Sequence, residues 1–304
     1  MNILAAMIAQ LLHLGLVVAA APTILGLLRW VEARLAGRPG ADPWQPWREL
    51  ARLIRKQPVL AENASSLFLA APAVCLAATL IAAALVPSFT LGMALGPIAD
   101  LLVIGGLLAV ARASLALAAL DAGTGAAGLA AARGARLGCL AEPALFLVIL
   151  ALGWLGGTTN ADLLAGLQQE GTLQPPAASA LAAVALALLA IATSGDGPSR
   201  TEFSATDLAI LEFSDALRLI VWFDLLAAMF LPLGIAAPDA GLLAWVAGLI
   251  AWLAKLGVLA LGLAVLRHTI GDTRLPARPV VLLQVAAMLG LLAIVLVLAS
   301  AASA

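Results

Sequence analysis

Six charged side chains stand at or near the middle of long apolar runs of this 304-residue chain: Arg112, Glu212, Asp215, Arg218, Asp224 and Lys255. A charge at mid-membrane depth costs about 2.5–3.5 kcal/mol, so six uncompensated ones would cost on the order of 15–20 kcal/mol. That exceeds the net stability of a typical protein. They must pair, face water or approach an interface. Glu212, Asp215 and Arg218 follow at i,i+3 steps, so on a helix they share one face. Asp224 falls on a different face, and Lys255, at similar depth in the next run, is its expected partner. Arg112 lies in the second half of its run, with Asp121 at the run's end. Carboxylates and lysine can change protonation, and with water between them they form a proton relay. Structural ion pairs between helices are the other open reading. Glu142 precedes Pro143, where a carboxylate either caps a helix N-terminus or joins the relay.

Other chemistries lack their residues. Cys75 and Cys139 are far apart and have no ligand-spaced neighbours. Soft-metal and iron–sulfur sites need clustered thiolates, so the chain carries no iron–sulfur cluster by itself. His13 and His268 are likewise too isolated for a haem or zinc site.

The elements that must position these charges follow from composition. The chain is 63% hydrophobic and 11% charged, against about 45–50% and about 25% in a soluble domain. Mean hydropathy is +1.09. A net charge of −1 with no basic face excludes a nucleic-acid binder. The runs are continuous and rich in Leu and Ala rather than alternating, so a β-barrel is excluded as well. The expected fold is an all-α polytopic membrane domain spanning 1–304. Runs at 3–28, 67–87, 98–120, 143–157, 177–194, 208–233, 242–266 and 280–300 approach the roughly 20 residues a span requires. The first is a span rather than a cleaved leader, because no basic residue precedes Ile3.

Every Lys and Arg between the runs falls in alternate connections. Segment 29–66 holds seven, 121–142 holds Arg133 and Arg136, 195–207 holds Arg200, and 267–279 holds Arg267, Arg274 and Arg278. The intervening connections and both termini hold none. The cationic side is cytoplasmic by the positive-inside rule, and eight spans put both termini outside. Within 29–66, residues 46–57 show helical spacing: Trp47, Leu50, Ala51 and Ile54 on one face, Arg48, Glu49, Arg52, Arg55 and Lys56 on the other. Pro46 starts this helix and Pro58 stops it. It reads as an interfacial helix between the first two spans: a connector, or a docking platform whose basic face attracts a cytosolic partner.

Three stretches carry a family resemblance over most of the chain. VEARLAGRPGADPWQPWRELARLIRKQPV resembles E-x-R, G-R-x-G-P, then Q-x-x-R-D-L-x-K-L-x-x-K. The matches are Glu32, Arg34, Gly37, Arg38, Gly40, Gln45, Arg48, Leu50 and Lys56, with Glu49 for Asp. ALDAGTGAAGLAAARGARLGCLAEPAL resembles A-L-D-x-G-S-x-F-G-G-x-G-x-x-R-E through A-E-P-A-L, at Asp121, Gly123, Arg133, Glu142 and Pro143. TEFSATDLAILEFSDALRLI resembles L-E-Y-S-G-x-x-L-A-L-I-E-W-A-x-A-L-K-L, at Glu202, Ser204, Leu208, Glu212 and Leu217, with Arg218 for Lys. These are motifs of the membrane subunit shared by respiratory complex I (subunit 1, the H subunit) and formate hydrogenlyase subunit 4. The hydrogenase-4 and energy-converting hydrogenase branch fits best.

The resemblance implies a non-redox membrane subunit of an oxidoreductase complex in the inner membrane. It would dock a cytosolic electron-transfer arm and link it to proton or sodium translocation. The implied partners are a hydrogenase-like large subunit, an iron–sulfur small subunit, antiporter-like membrane subunits and lipid. Iron–sulfur clusters and a nickel–iron site would belong to those partners, with no cofactor or metal in this chain. Carried over, Glu142, Glu202 and Glu212 belong to an ion path with Asp121, joined by Asp215, Asp224 and Lys255. Glu32, Arg34, Arg38, Gln45, Arg48, Arg52, Arg55, Lys56 and Arg133 face the docked arm. The sequence departs from the family at SGDGPSRTEFS, which lacks a longer acidic stretch and keeps only Asp196, and at Gly134, where the family has Glu. Either the path runs through Asp215, Asp224 and Lys255, or coupling is weaker. The rival readings are a stand-alone secondary transporter, though no repeated halves occur, and a purely structural anchor.

Overall fold

The computed structural model describes residues 3–57, 65–193, 202–237, 240–270 and 277–303. Asp196, Arg200 and Arg274 lie outside them. Among the described residues the fold is helical, without strands: α1 Ile3–Leu35, α2 Gln45–Ile54, α3 Ser66–Leu85, α4 Leu101–Asp121, α5 Gly125–Gly156, α6 Ala161–Gln169, α7 Pro176–Thr193, α8 Ala205–Phe230, α9 Leu242–Ile270 and α10 Ala277–Ser303.

Among the described residues, seven helices are long and apolar enough to cross a membrane: α1, α3, α4, α5, α7, α9 and α10. The eighth expected span, α8, has the length, at 26 residues, but carries too many charges to pass on composition. Its packing explains how it tolerates them. Residues 216–225 form an unbroken buried stretch, and α8 touches α1, α2, α3, α6, α7 and α9. The other helices form its solvent, so its polar groups meet protein rather than lipid.

One expected boundary is wrong. The connection 121–142 is helical from Gly125, and Pro143 lies well inside α5. Gly123, at φ +66°, turns the chain after α4. The Thr124 hydroxyl caps α5 by accepting from the Ala127 amide. The alanines of GAAGLAAARGARLG are strong helix formers and outweigh their glycines. Pro143 removes one backbone donor without ending the helix. Glu142 is therefore mid-helix, and the N-terminal cap reading fails. A further short helix, α6, lies in the expected connection 158–176, capped by the Asn160 side chain.

The bundle has two chemically distinct ends. At the end away from α2, backbone and side chains knit the connections together. Ala236 bonds Phe89 and Leu91 at 2.9 and 3.0 Å. Asp162 accepts from the Gly92 amide. Gln10 donates to Ala84 O at 2.9 Å and accepts from Leu95 N at 3.1 Å. His13 belongs here as a satisfied core histidine, between Ser88 Oγ (2.6 Å) and Ala83 O (3.0 Å). The opposite end carries α2 and, among the described residues, Arg133, Arg136 and Arg267.

Candidate functional site

The charges of α8 do not share one environment. Arg218 bonds Asp215 one turn earlier at 2.9 Å, with side chains 9% and 20% exposed. Glu212, the preceding i,i+3 neighbour, is half-buried. Asp224 is 1% exposed. Its Oδ1 accepts from Trp252 Nε1 on α9 at 2.7 Å, and Oδ2 has no hydrogen-bond partner among the described residues. Lys255 does not bond Asp224 as expected. Its ammonium donates to the Leu231 carbonyl at 3.0 Å, where α8 ends and backbone acceptors are free.

A second pair joins neighbouring helices: Arg112 of α4 reaches Glu142 of α5 at 3.3 Å. Both border a cavity of about 340 Å³ that Arg218 also lines. Arg112 thus looks across to α5 rather than down to Asp121. Asp121 instead accepts from the Ser65 hydroxyl at 2.6 Å and from its amide at 3.3 Å, tying the end of α4 to the start of α3. Glu202 accepts from Thr124 Oγ1 at 2.8 Å. Its neighbour Phe203 stacks on Phe68 of α3, centroids 4.6 Å apart. Asp121, Thr124 and Glu202 therefore sit together at the α2 end.

The α2 segment is built from α1 outward. Pro46, Leu50 and Leu53 of α2 are buried, the two leucines against Leu208, Ala209 and Phe213 of α8. The expected face is rotated: Leu53 replaces Ala51 and Ile54, the latter 62% exposed. The cause is that α2 packs on protein, α1 and α8. Trp47 Nε1 donates to Thr23 Oγ1 of α1 at 3.1 Å. Gly26 permits the approach, because a Cβ there would lie 1.9 Å from the Pro43 carbonyl oxygen. Outward, Arg34, Arg38, Gln45, Arg48, Arg52, Arg55 and Lys56 are exposed. Arg34 lies over the Trp30 ring at 5.2 Å, Arg48 bonds Asp42, and Arg52 bonds Glu49.

With this geometry, the chain matches the NADH dehydrogenase family over residues 7–298. The chain belongs to that family. Among relatives in Escherichia coli, it is 30% identical over 229 residues to hydrogenase-4 component C, covering 71% of this chain and 72% of the relative. It is 26% identical over 276 residues to formate hydrogenlyase subunit 4, covering 86% and 89%. Its fold is similar to a chain of the membrane-bound sulfane sulfur reductase, an archaeal respiratory membrane complex. That match has a TM-score of 0.71 at 19% identity, over 95% of this chain and all of that one.

For this member of the NADH dehydrogenase family, the expected site residues form separate groups rather than one chain of contacts. Arg133 is exposed on the helical extension of α5, not in a loop. Glu32 faces inward and accepts from Arg267 of α9 at 2.9 Å. In the sequence Arg267 is one more cation of a connection, because nothing local links positions 235 apart. The partner of Arg112 is supplied only by the antiparallel packing of α4 on α5. Among the described residues no group of His, Cys, Asp and Glu could hold a metal ion.

Proposed function

We propose that this chain acts as one membrane unit of a complex I-related, hydrogenase-type oxidoreductase. It docks the electron-transfer arm and links that arm to proton or sodium translocation. One observation carries the reading. The exposed cations of α2 and its approach stand at the same end as Asp121 and Glu202, and the intramembrane charges begin just beneath them. A docked protein would touch the platform and the outermost carboxylates together.

In this reading α2 is cytoplasmic, the membrane is the cell's inner membrane, and both termini are outside. Arg34, Arg38, Gln45, Arg48, Arg52, Arg55, Lys56 and Arg133 meet a hydrogenase-like large subunit and an iron–sulfur small subunit. Redox chemistry stays in those partners, as suits relatives named for hydrogenase-4 and formate hydrogenlyase. Glu32 supports the platform from within. Asp121 and Glu202 receive the ion, and Glu142, Glu212 and Asp215 carry it inward toward Asp224 and Lys255. Antiporter-like membrane subunits would adjoin the bundle.

Purification in mild detergent tests the docking half. A nickel–iron large subunit and an iron–sulfur small subunit should co-purify; a lone homo-oligomer would sink the reading in favour of a stand-alone transporter. Arg52→Glu with Arg55→Glu should release the cytosolic partners. For the ion path, Glu142→Gln and Glu212→Gln should abolish redox-driven translocation while the complex still assembles. Unchanged translocation in both would make those carboxylates structural.

A further inference from the structure

The cavity between α4, α5, α7 and α8 has a composition the ion path does not require. Much of its wall is Ala, Gly and Leu, and two guanidinium groups line it, Arg112 and Arg218, with one carboxylate, Glu142. Arg218 is held by Asp215, which is not part of the lining. Arg112 meets Glu142 at 3.3 Å, longer than the roughly 2.7–2.9 Å of a good charge-assisted bond. Its Nε has no partner among the described residues. Both cations border the same cavity. Each guanidinium offers five N–H donors and no acceptor, so donors far exceed acceptors here. The lining residues Ala113, Leu117, Ala135 and Cys139 are exposed, so the cavity opens on the perimeter of the bundle, where lipid lies.

A cationic pocket with an apolar wall and a lateral mouth fits an amphiphilic anion. A small inorganic anion would leave the apolar volume unused, and a neutral lipid would leave the donors unanswered. We propose that the cavity binds one anionic phospholipid of the α2-side leaflet, drawn in so that its phosphate meets Arg112 and Arg218 while its acyl chains leave through the lateral mouth between α4 and α5. The phosphate takes up the idle donors of Arg112, and the chains replace void with apolar contact.

Native mass spectrometry of the complex as isolated in mild detergent, exchanged into phosphatidylglycerol or phosphatidylcholine, tests this. Phosphatidylglycerol should be retained at one per chain and at least tenfold more than phosphatidylcholine. Excess inorganic phosphate should not displace it. Arg112→Gln should lower retention about tenfold. Ala135→Leu narrows the mouth without touching a charge; it should lower retention at unchanged thermal stability, and it decides the matter if Arg112→Gln misfolds. Equal retention of both lipids, displacement by inorganic phosphate, or undiminished retention in the variants would overturn the proposal. Because binding is the readout, the outcome is independent of whether the cavity also carries ions.

Discussion

Arg267, in the last turn of α9, bonds Glu32, in the last turn of α1, at 2.9 Å. This contact clamps the first helix to the ninth directly behind the segment that leads to α2. Both side chains are partly buried, so the pair is worth roughly 1 kcal/mol. Arg267→Ala should lower stability by about that amount and loosen 36–44 toward protease. In a double-mutant cycle with Glu32→Ala the two losses should not add. Additive losses in thermal unfolding would mean the contact is incidental.

Gly26 is where α1 meets the approach to α2. Gly26→Ala would put a methyl 1.9 Å from the Pro43 carbonyl oxygen, a backbone atom that cannot swing aside. A loss of roughly 1–3 kcal/mol is expected, with α2 displaced and, under the proposed docking role, the partners bound there released. Gly15 has no atom within 4 Å of a built Cβ, so Gly15→Ala should leave assembly unchanged. Limited proteolysis of the α2 segment reads both.

Asp224 separates a structural from a transport role. Asp224→Asn keeps an acceptor for Trp252 Nε1 and removes the charge, so the fold should survive. Asp224→Ala leaves that indole donor buried and unpaired, at a cost of about 1–3 kcal/mol. Stable Asp224→Asn protein that has lost ion translocation would place the carboxylate in the path. Full translocation would reduce it to an anchor between α8 and α9.

Asp162, on the short helix α6 outside the spans, is raised from its ordinary value by burial, opposed by the Gly92 amide bond. The folded protein therefore holds this proton more tightly than the unfolded chain does. The stabilisation is present below the unfolded value of about 3.9 and is lost as pH rises through the folded one. Asp162→Asn should flatten stability against pH in the window just above the ordinary carboxylate range, by thermal melts. An unchanged slope would assign the pH dependence elsewhere.

Hydropathy and charge are local properties, and so the eight long helices and the one-sided cations were legible in the residues. The helical spacing of α2 was legible as well, but not its rotation, because only the packing of Leu50 and Leu53 against α8 decides which side is inward. The start of α5 is not legible in this way, because its glycines and arginines resemble a connection, whereas the Thr124 cap and the alanines make a helix. Long-range pairings were hidden for another reason. Arg112 has Asp121 nearby in sequence but Glu142 nearby in space. Lys255 matches Asp224 in depth, yet the free carbonyl at the end of α8 holds it.

The length of α5 has a mechanical consequence. Its 32 residues make a rod of about 48 Å, well beyond a hydrocarbon layer of about 30 Å. The excess lies at the α2 end, where Arg133 is exposed. A helix bends most easily where a backbone hydrogen bond is missing, and Pro143 removes one. Glu142 is the adjacent residue. The stretch before Pro143 is thus the part of α5 freest to tilt, and the Arg112–Glu142 contact sits at its pivot.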